Sequence, residues 1–283
     1  MNIYNKYLKQ KKKNIDIFCN KKAEMYENLF NNSSSKSSLL KKKVLPYGWH
    51  WLYFSDNPNI SEIGPDGHIK KGSFLPSFTG CKRMFAGAEV EFKKKIPLNS
   101  KVKKTSQIKK IENKSKNDKK IYFLTINHLY KVGNELVLQE NQNLVFINKD
   151  YKSNRKILFQ KEKKYLLLLT RNFSFNNIML FRYSAITYNS HRIHYDRKYT
   201  MQKEGYKDLL VHGPLLAQHA IDEFILNIKK KLKTFEFKML KPVLVNEKIH
   251  LKFFQNKEIK SHYKIIITSL KSQEVKFVAN CSS

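Results

Sequence analysis

The stretch ITYNSHRIHYDRKYT, residues 186–200, concentrates side chains that could do chemistry. His191 and His194 stand three apart, followed by Asp196 and interleaved with Tyr188, Tyr195, Arg192 and Arg197. Three chemistries suit those types. His-x-x-His spacing on one helix face could ligate a metal ion, with Asp196 and the nearby His212 joining. The arginines and tyrosines could form a basic patch for nucleic acid. A histidine, whose ordinary pKa lies near neutrality, could instead carry a proton. Close behind comes VHGPLLA at 211–217, where Gly213 and Pro214 signal a helix start.

These residues need a scaffold. HGPLLAQHAIDEFILNIKKK spaces Ala217, Ala220, Ile221, Phe224 and Ile228 as an apolar helical stripe, widened by Leu216 and Ile225. The spacing predicts a deeply buried helix from Gly213 to Lys229, with His219 as a core histidine. AEMYENLF, 23–30, reads as a short helix. Most of the rest, from Val44 onward, alternates with period two and is rich in β-branched and aromatic residues. It also echoes itself. VEFKKKIPLNSKV (90–102) and FEFKMLKPVLVNEKI (235–249) share Phe-x4-Pro and then Asn-x-Lys before an apolar residue, and two strand candidates follow each copy. A duplication is expected. A long buried helix followed by antiparallel strands is the order of a sheet curled around a helix.

At 283 residues the chain can form one large core or two modest ones. A hydrophobic content of 41% and an aromatic content of 13% favour a folded globule over disorder. The strongest apolar run, YLLLLT at 165–170, has strand length and cannot span a membrane. Cys19, Cys81 and Cys281 lie far apart without a CxxC, against a disulfide framework or a cysteine zinc site. The net charge of +32 comes overwhelmingly from lysines spread along the chain, alongside abundant asparagine. That pattern is read as a solvated surface that attracts acidic partners rather than as a nucleic-acid footprint. Residues 1–14 form a basic leader that could be a targeting segment, and NNSSSKSSLLKKK (31–43) reads as a linker. KKIENKSKNDKK (109–120) reads as an exposed hairpin tip.

FRYSAITYNSHRIHYDRKY followed by EGYKDLLVHGPLLA resembles the MaoC-like hydratase/dehydratase family. More narrowly it is similar to the type 2 3-hydroxyacyl-thioester dehydratases and the mesaconyl-CoA hydratases. LPYGWHWLYF (45–54), GPDGHIKKGSFLP (64–76) and CKRMFAGAEVEF (81–92) are similar to that group's amino-terminal half. The resemblance implies an α+β double hot dog, two antiparallel sheets each curled around a helix, side by side. The expected division is leader 1–14, a degenerate hot-dog half over 15–150 and a catalytic half over 151–283.

The resemblance implies a hydro-lyase acting on 3-hydroxyacyl or enoyl thioesters carried on CoA or acyl carrier protein, with no resident metal or cofactor. His194 would move the proton beside the carbonyl, and the helix start at Gly213 would supply oxyanion donors. The broader family has D-x-N-P-x-H where this chain has Asn189-x-His191-Arg192-x-His194. Asn189 cannot act as a base, only orient water; His191, Asp196, Arg192 and His212 are supporting candidates. Arg83, Arg192 and Arg197 could meet carrier phosphates, and Trp49, His50 and Trp51 are expected to pack the first half's core. The glycines of GPDGHIKKG read as turn signals, not a phosphate loop. A homodimer and a mitochondrial matrix or cytoplasmic location are further expectations. A diacid-CoA hydratase and a non-catalytic, nucleic-acid-binding hot dog are the alternatives.

Overall fold

The computed structural model describes residues 4–30, 38–40, 43–116, 119–148 and 156–283. The first half runs α1 (Asn5–Leu8), β1 (Lys11–Ile17), α2 (Asn20–Glu27), β2 (Cys81–Phe92), β3 (Lys101–Asn113), β4 (Ile121–Val132) and β5 (Glu135–Asn148). The second runs β6 (Tyr165–Phe173), α3 (Asn177–Thr187), α4 (Arg197–Gln202), α5 (Gly213–Ile228), β7 (Thr234–Met239), β8 (Ile249–Asn256), β9 (His262–Ser269) and β10 (Val275–Ser282). The strands form one antiparallel sheet in the order β1-β3-β4-β5-β2-β7-β10-β9-β8-β6. Read outward from the β2–β7 seam, both halves have the same order. The double hot dog expected from the sequence is the architecture formed, with two differences: the two sheets join at the β2–β7 seam into one, and only the second half has a long central helix.

The sequence echo is structural. Its two copies are the β2–turn–β3 and β7–turn–β8 corners, and their asparagines, Asn99 and Asn246, both take left-handed backbone (φ 63° and 60°). Asn tolerates that region better than most residues. Asn99 N–H donates to the carbonyl of Phe18 at 2.8 Å, and Asn246 N–H to that of Phe175 at 2.7 Å. Both phenylalanines are fully buried, one after β1 and the other after β6. Each corner thus ties its half's edge strand to its meander.

At the seam, Gly87 pairs with Lys238 beside a bulge in β2. A Cβ there would sit 2.0 Å from the carbonyl oxygen of Phe237, and its φ is 145°. The two halves approach this closely because position 87 has no side chain.

Helix α5 is the central helix of the second half. Leu215, Leu216, Ala217, Ala220, Ile221 and Phe224 are buried along it, each large side chain contributing about 1.5–3 kcal/mol. The helix ends at Ile228, one residue short of the expected Lys229, which takes the left-handed cap (φ 57°). His219 packs among Phe30, Phe173 and Phe175, as a core histidine should.

The first half keeps only a 3₁₀ turn, Trp49–Leu52, at the matching position. The match follows from the backbone. Leu45 N–H donates to Ile96 O and Val211 N–H to Val243 O, while Val44 bridges Pro97 and Leu210 bridges Leu244. Trp49 from this turn docks on α5. Its Nε1 donates to Asp222 at 2.7 Å, and the Tyr26 hydroxyl donates to the same carboxyl at 3.1 Å. Burial raises the Asp222 pKa well above the carboxylate range.

YLLLLT lies in β6, an edge strand on which Leu166, Leu167 and Leu168 are exposed. No helix among the described residues is long and apolar enough to cross a membrane. The expected boundary between residues 14 and 15 falls inside β1, which pairs with β3 over Lys11–Ile17. The expected boundary at 150 and most of the 31–43 linker lie outside the described residues, as does the tip of the β3–β4 hairpin at 117–118.

Candidate active site

A cleft of about 1170 Å³ runs between the halves, lined by both. Its second-half wall is the loop from Tyr188 to Tyr195 and the start of α5. The loop begins where α3 ends, with Tyr188 in left-handed backbone as the cap. A 3₁₀ turn over Arg192–His194 follows. It is fastened to the strand-like segment leading into α5, because Leu210 N–H donates to Ile193 O at 3.0 Å.

His194 is buried and its ring is fixed on two sides. Nδ1–H donates to the Leu210 carbonyl at 2.8 Å, which makes Nε2 the free lone pair. The ring stacks on His212, with centroids 3.6 Å apart and planes 19° apart. Burial lowers the His194 pKa to about 4, against the pull of the Leu210 carbonyl. His212 is driven well below its usual value by burial first and then by the neighbouring His194 and His191, whose protonation would oppose its own. Both rings are therefore neutral at pH 7. His212 Nε2 meets Ser184 Oγ at 2.8 Å, and Nδ1 has no partner among the described residues.

Gly213 opens α5, so its N–H and that of Leu215 have no intrahelical acceptor, and Pro214 between them has no N–H to donate. The positive end of the helix dipole sits there too. Position 213 also has little room for a side chain. A Cβ at 213 would lie 2.8 Å from the Phe85 ring, which comes across from β2.

The other expected residues have mainly structural partners. Asn189 Oδ1 accepts the His191 N–H at 3.0 Å and so shapes the loop; its Nδ2 is left to donate to a ligand. Arg192 gives Nε and Nη2 to Asp196 at 3.0 and 2.7 Å, donates Nη1 to Pro65 O and lies over Tyr199. It is a brace, not a free phosphate ligand. Asp196 also caps α4 through Tyr199 N–H. Neither supports proton transfer directly. Arg197 pairs with Asp208. Trp49 packs the core, whereas His50 and Trp51 line the cleft.

Sequence reasoning passed over the facing loop. GPDGH, 64–68, is bolted to the second half's loop: Arg192 N–H donates to Asp66 O at 3.0 Å and Ser190 Oγ to Gly67 O at 2.6 Å. Gly67 has φ 86°, and a Cβ there would fall 1.7 Å from Ser190 O. This places His68 against His191, ring centroids 3.8 Å apart, with His191 5.4 Å from His194. Burial works against an ionised Asp66, but the His68 side chain and N–H hold its carboxyl far below the usual range. Burial and then the Arg83 charge lower His68 to about 4. Burial, then the neighbouring His68 and His194, lower His191. Asp66, His68 and His191 each place a ligand atom within 4.8 Å of the others, a grouping that could hold a cation. The charge of Arg83, felt by both histidines, opposes one.

Deeper in the first half, buried Glu140 accepts from Trp51 Nε1 at 2.9 Å and the Tyr130 hydroxyl at 2.8 Å. His50 Nε2 lies 3.4 Å away. Burial would raise this carboxyl, yet His50, His128 and Trp51 bring it down to about 2. His128 meets Ser106 at 2.7 Å. Lys104 Nζ sits 4.4 Å from the Phe54 ring centroid and forms no ion pair among the described residues. Nothing in the spacing of these residues along the chain marks them, since strand neighbours are far apart in sequence.

The arrangement offers a neutral imidazole base, a set of free N–H donors at a helix start, and a cleft walled by both halves. Residues 48–245 match the family model for hydroxyacyl-thioester dehydratase type 2. The mesaconyl-C(4)-CoA hydratase of Chloroflexus aurantiacus is 34% identical over 173 residues, which span 61% of each chain. The mitochondrial hydroxyacyl-thioester dehydratase type 2 of Schizosaccharomyces pombe is 26% identical over 230 residues, 72% of this chain and 76% of that one. Among solved structures, a MaoC-like dehydratase from Phytophthora capsici shares the fold, with a TM-score of 0.73 and 13% identity, covering 98% of this chain and 96% of the other. The chain belongs to the type 2 hydroxyacyl-thioester dehydratase family.

Proposed function

We propose that the protein is a hydro-lyase that interconverts 3-hydroxyacyl and trans-2-enoyl thioesters. The observation that carries this is the His194 geometry: a neutral ring, locked through Nδ1–H and stacked on His212, the residue that leads into the helix start at Gly213 on the same cleft. In dehydration, Nε2 takes the C2 proton. The C–H electron pair moves toward the thioester oxygen, which the α5 start stabilises. The C3–O bond then breaks, and the proton on His194 passes to the departing oxygen as water forms. Names of relatives support this class of reaction. The Lys-rich surface suits an acidic carrier, CoA or acyl carrier protein. The fission-yeast relative is named as mitochondrial, which supports a mitochondrial location; a dehydration step of fatty-acid synthesis in the matrix is the role we assign to the protein there.

A second reading, hydration of a short diacid thioester, is favoured by one observation: the ammonium of Lys104 lines the same cleft without an ion-pair partner among the described residues. The test of both is hydration of crotonyl-CoA, longer enoyl-CoAs, an enoyl acyl carrier protein and mesaconyl-CoA, for wild type and Lys104→Met. Turnover of the enoyl thioesters supports the hydro-lyase. A mesaconyl-CoA preference lost in Lys104→Met supports the diacid reading. Inactivity on all of them would refute both.

A further inference from the structure

We propose that His68, oriented by Asp66, is the second side chain that touches the reacting water or 3-hydroxyl, the place that Asn189 leaves open. This assignment rests on the hydro-lyase reading above.

Four observations converge on it. His68 lines the cleft and lies against His191, next to His194. It is near enough to His194 for protonation of one ring to oppose protonation of the other. Asp66 holds it at two points, accepting the backbone N–H at 3.0 Å and facing Nδ1 at 3.4 Å. With Nδ1–H turned to an ionised carboxylate, Nε2 is the acceptor. Finally, the loop carrying the pair belongs to the first half but is fastened to the His194 loop through Arg192 N–H, Arg192 Nη1 and Ser190 Oγ. Gly67 touches Ser190 so closely that no other residue fits. That fastening fixes His68 relative to His194 across the seam.

The groups around His68 agree with an acceptor. Arg83 and Lys71 oppose a positive charge on it, Asp66 favours one, and His191 and His194 are neutral at pH 7. In hydration, one water hydrogen is held by His68 Nε2 and the other is taken by His194 Nε2. The water oxygen bonds to C3, the C2=C3 pair moves onto C2 and the thioester, and His194 returns its proton to C2. One O–H bond breaks, one C–O and one C–H bond form, and both histidines end neutral.

The test uses the full chain with His68→Ala, His68→Gln and Asp66→Asn. Crotonyl-CoA hydration gives kcat, and the Kd for saturated butyryl-CoA reports the binding cleft. His68→Ala should lower kcat about 100-fold with butyryl-CoA affinity within about threefold of wild type. His68→Gln, which keeps an acceptor oxygen, should recover about tenfold of that, and Asp66→Asn should cost about tenfold. A His68→Ala kcat within about threefold of wild type overturns the assignment. So does a parallel loss of butyryl-CoA binding, which would make the residue a packing element. So does inhibition of wild type by a chelator and rescue by a divalent cation, which would make the Asp66–His68–His191 group a metal site. A wild type inactive on every enoyl thioester removes the hydro-lyase reading itself, and this assignment with it.

Discussion

Gly67→Ala tests whether the active site is assembled across the two halves. The added methyl would stand 1.7 Å from the Ser190 carbonyl oxygen and 2.6 Å from its carbon. Ordinary contact needs about 3.2–3.5 Å, so the 64–68 loop must back away by more than about 1.5 Å. An alanine at φ 86° adds about 1–2 kcal/mol of backbone strain. Retreat also stretches Ser190 Oγ to Gly67 O, Arg192 N–H to Asp66 O and Arg192 Nη1 to Pro65 O, each contributing about 0.5–1.5 kcal/mol. The expected loss of stability is about 3–5 kcal/mol. A displacement of about 1 Å costs about 100-fold in rate even where the fold survives. Crotonyl-CoA hydration and a thermal melt, read together, decide the matter. Wild-type kcat with an unchanged melting temperature would refute the claim that this loop is built into the site. Ser190→Ala, which removes one of the three bonds without a clash, should lie between the two.

Other perturbations report on separate parts of the account. Asn189→Asp keeps the acceptor for the His191 N–H, so kcat should stay within about threefold, whereas Asn189→Leu removes it and should cost about tenfold; steady-state hydration kinetics distinguish them. Stability should fall as pH drops below about 6.5. His68, His128 and His194 each have a folded pKa of about 4, so between pH 6.5 and 4 the unfolded chain binds more protons and acid favours it. From pH 7 to pH 5.5 each such histidine costs about 1 kcal/mol, measurable as a lower urea midpoint. A midpoint constant over that range would contradict the buried, neutral histidines.

That His194 and the helix start at Gly213 share one cleft wall was legible because both lie in one short, ordered stretch that carries the family resemblance; their chemical roles came from that resemblance and are part of the proposal. The duplication was legible because Asn99 and Asn246 meet the same demand for left-handed backbone at equivalent corners. Other features were hidden for physical reasons. Asp66 and His68 sit in a segment whose glycines and proline read as a turn; their value comes from a contact made 123 residues away, at Ser190. Lys104, Ser106, His128 and Glu140 lie on three different strands, and only sheet register brings them together. β1 looked like a basic leader because an edge strand never fully buried on either face carries a weak alternation, KKKNIDI. The single turn at Trp49–Leu52 could not be found by periodicity, since four residues have none. Arg192 and Asp196 were chemistry-bearing by type but spent on each other, an outcome their i,i+4 spacing allows.

The central claim is that a neutral His194 moves the proton. Its most direct test is loss of enoyl absorbance from crotonyl-CoA, measured for wild type and His194→Ala side by side, with butyryl-CoA binding as the control for an intact cleft. The account predicts a kcat at least about 100-fold lower in the variant and unchanged binding. Near-full turnover by His194→Ala would contradict it.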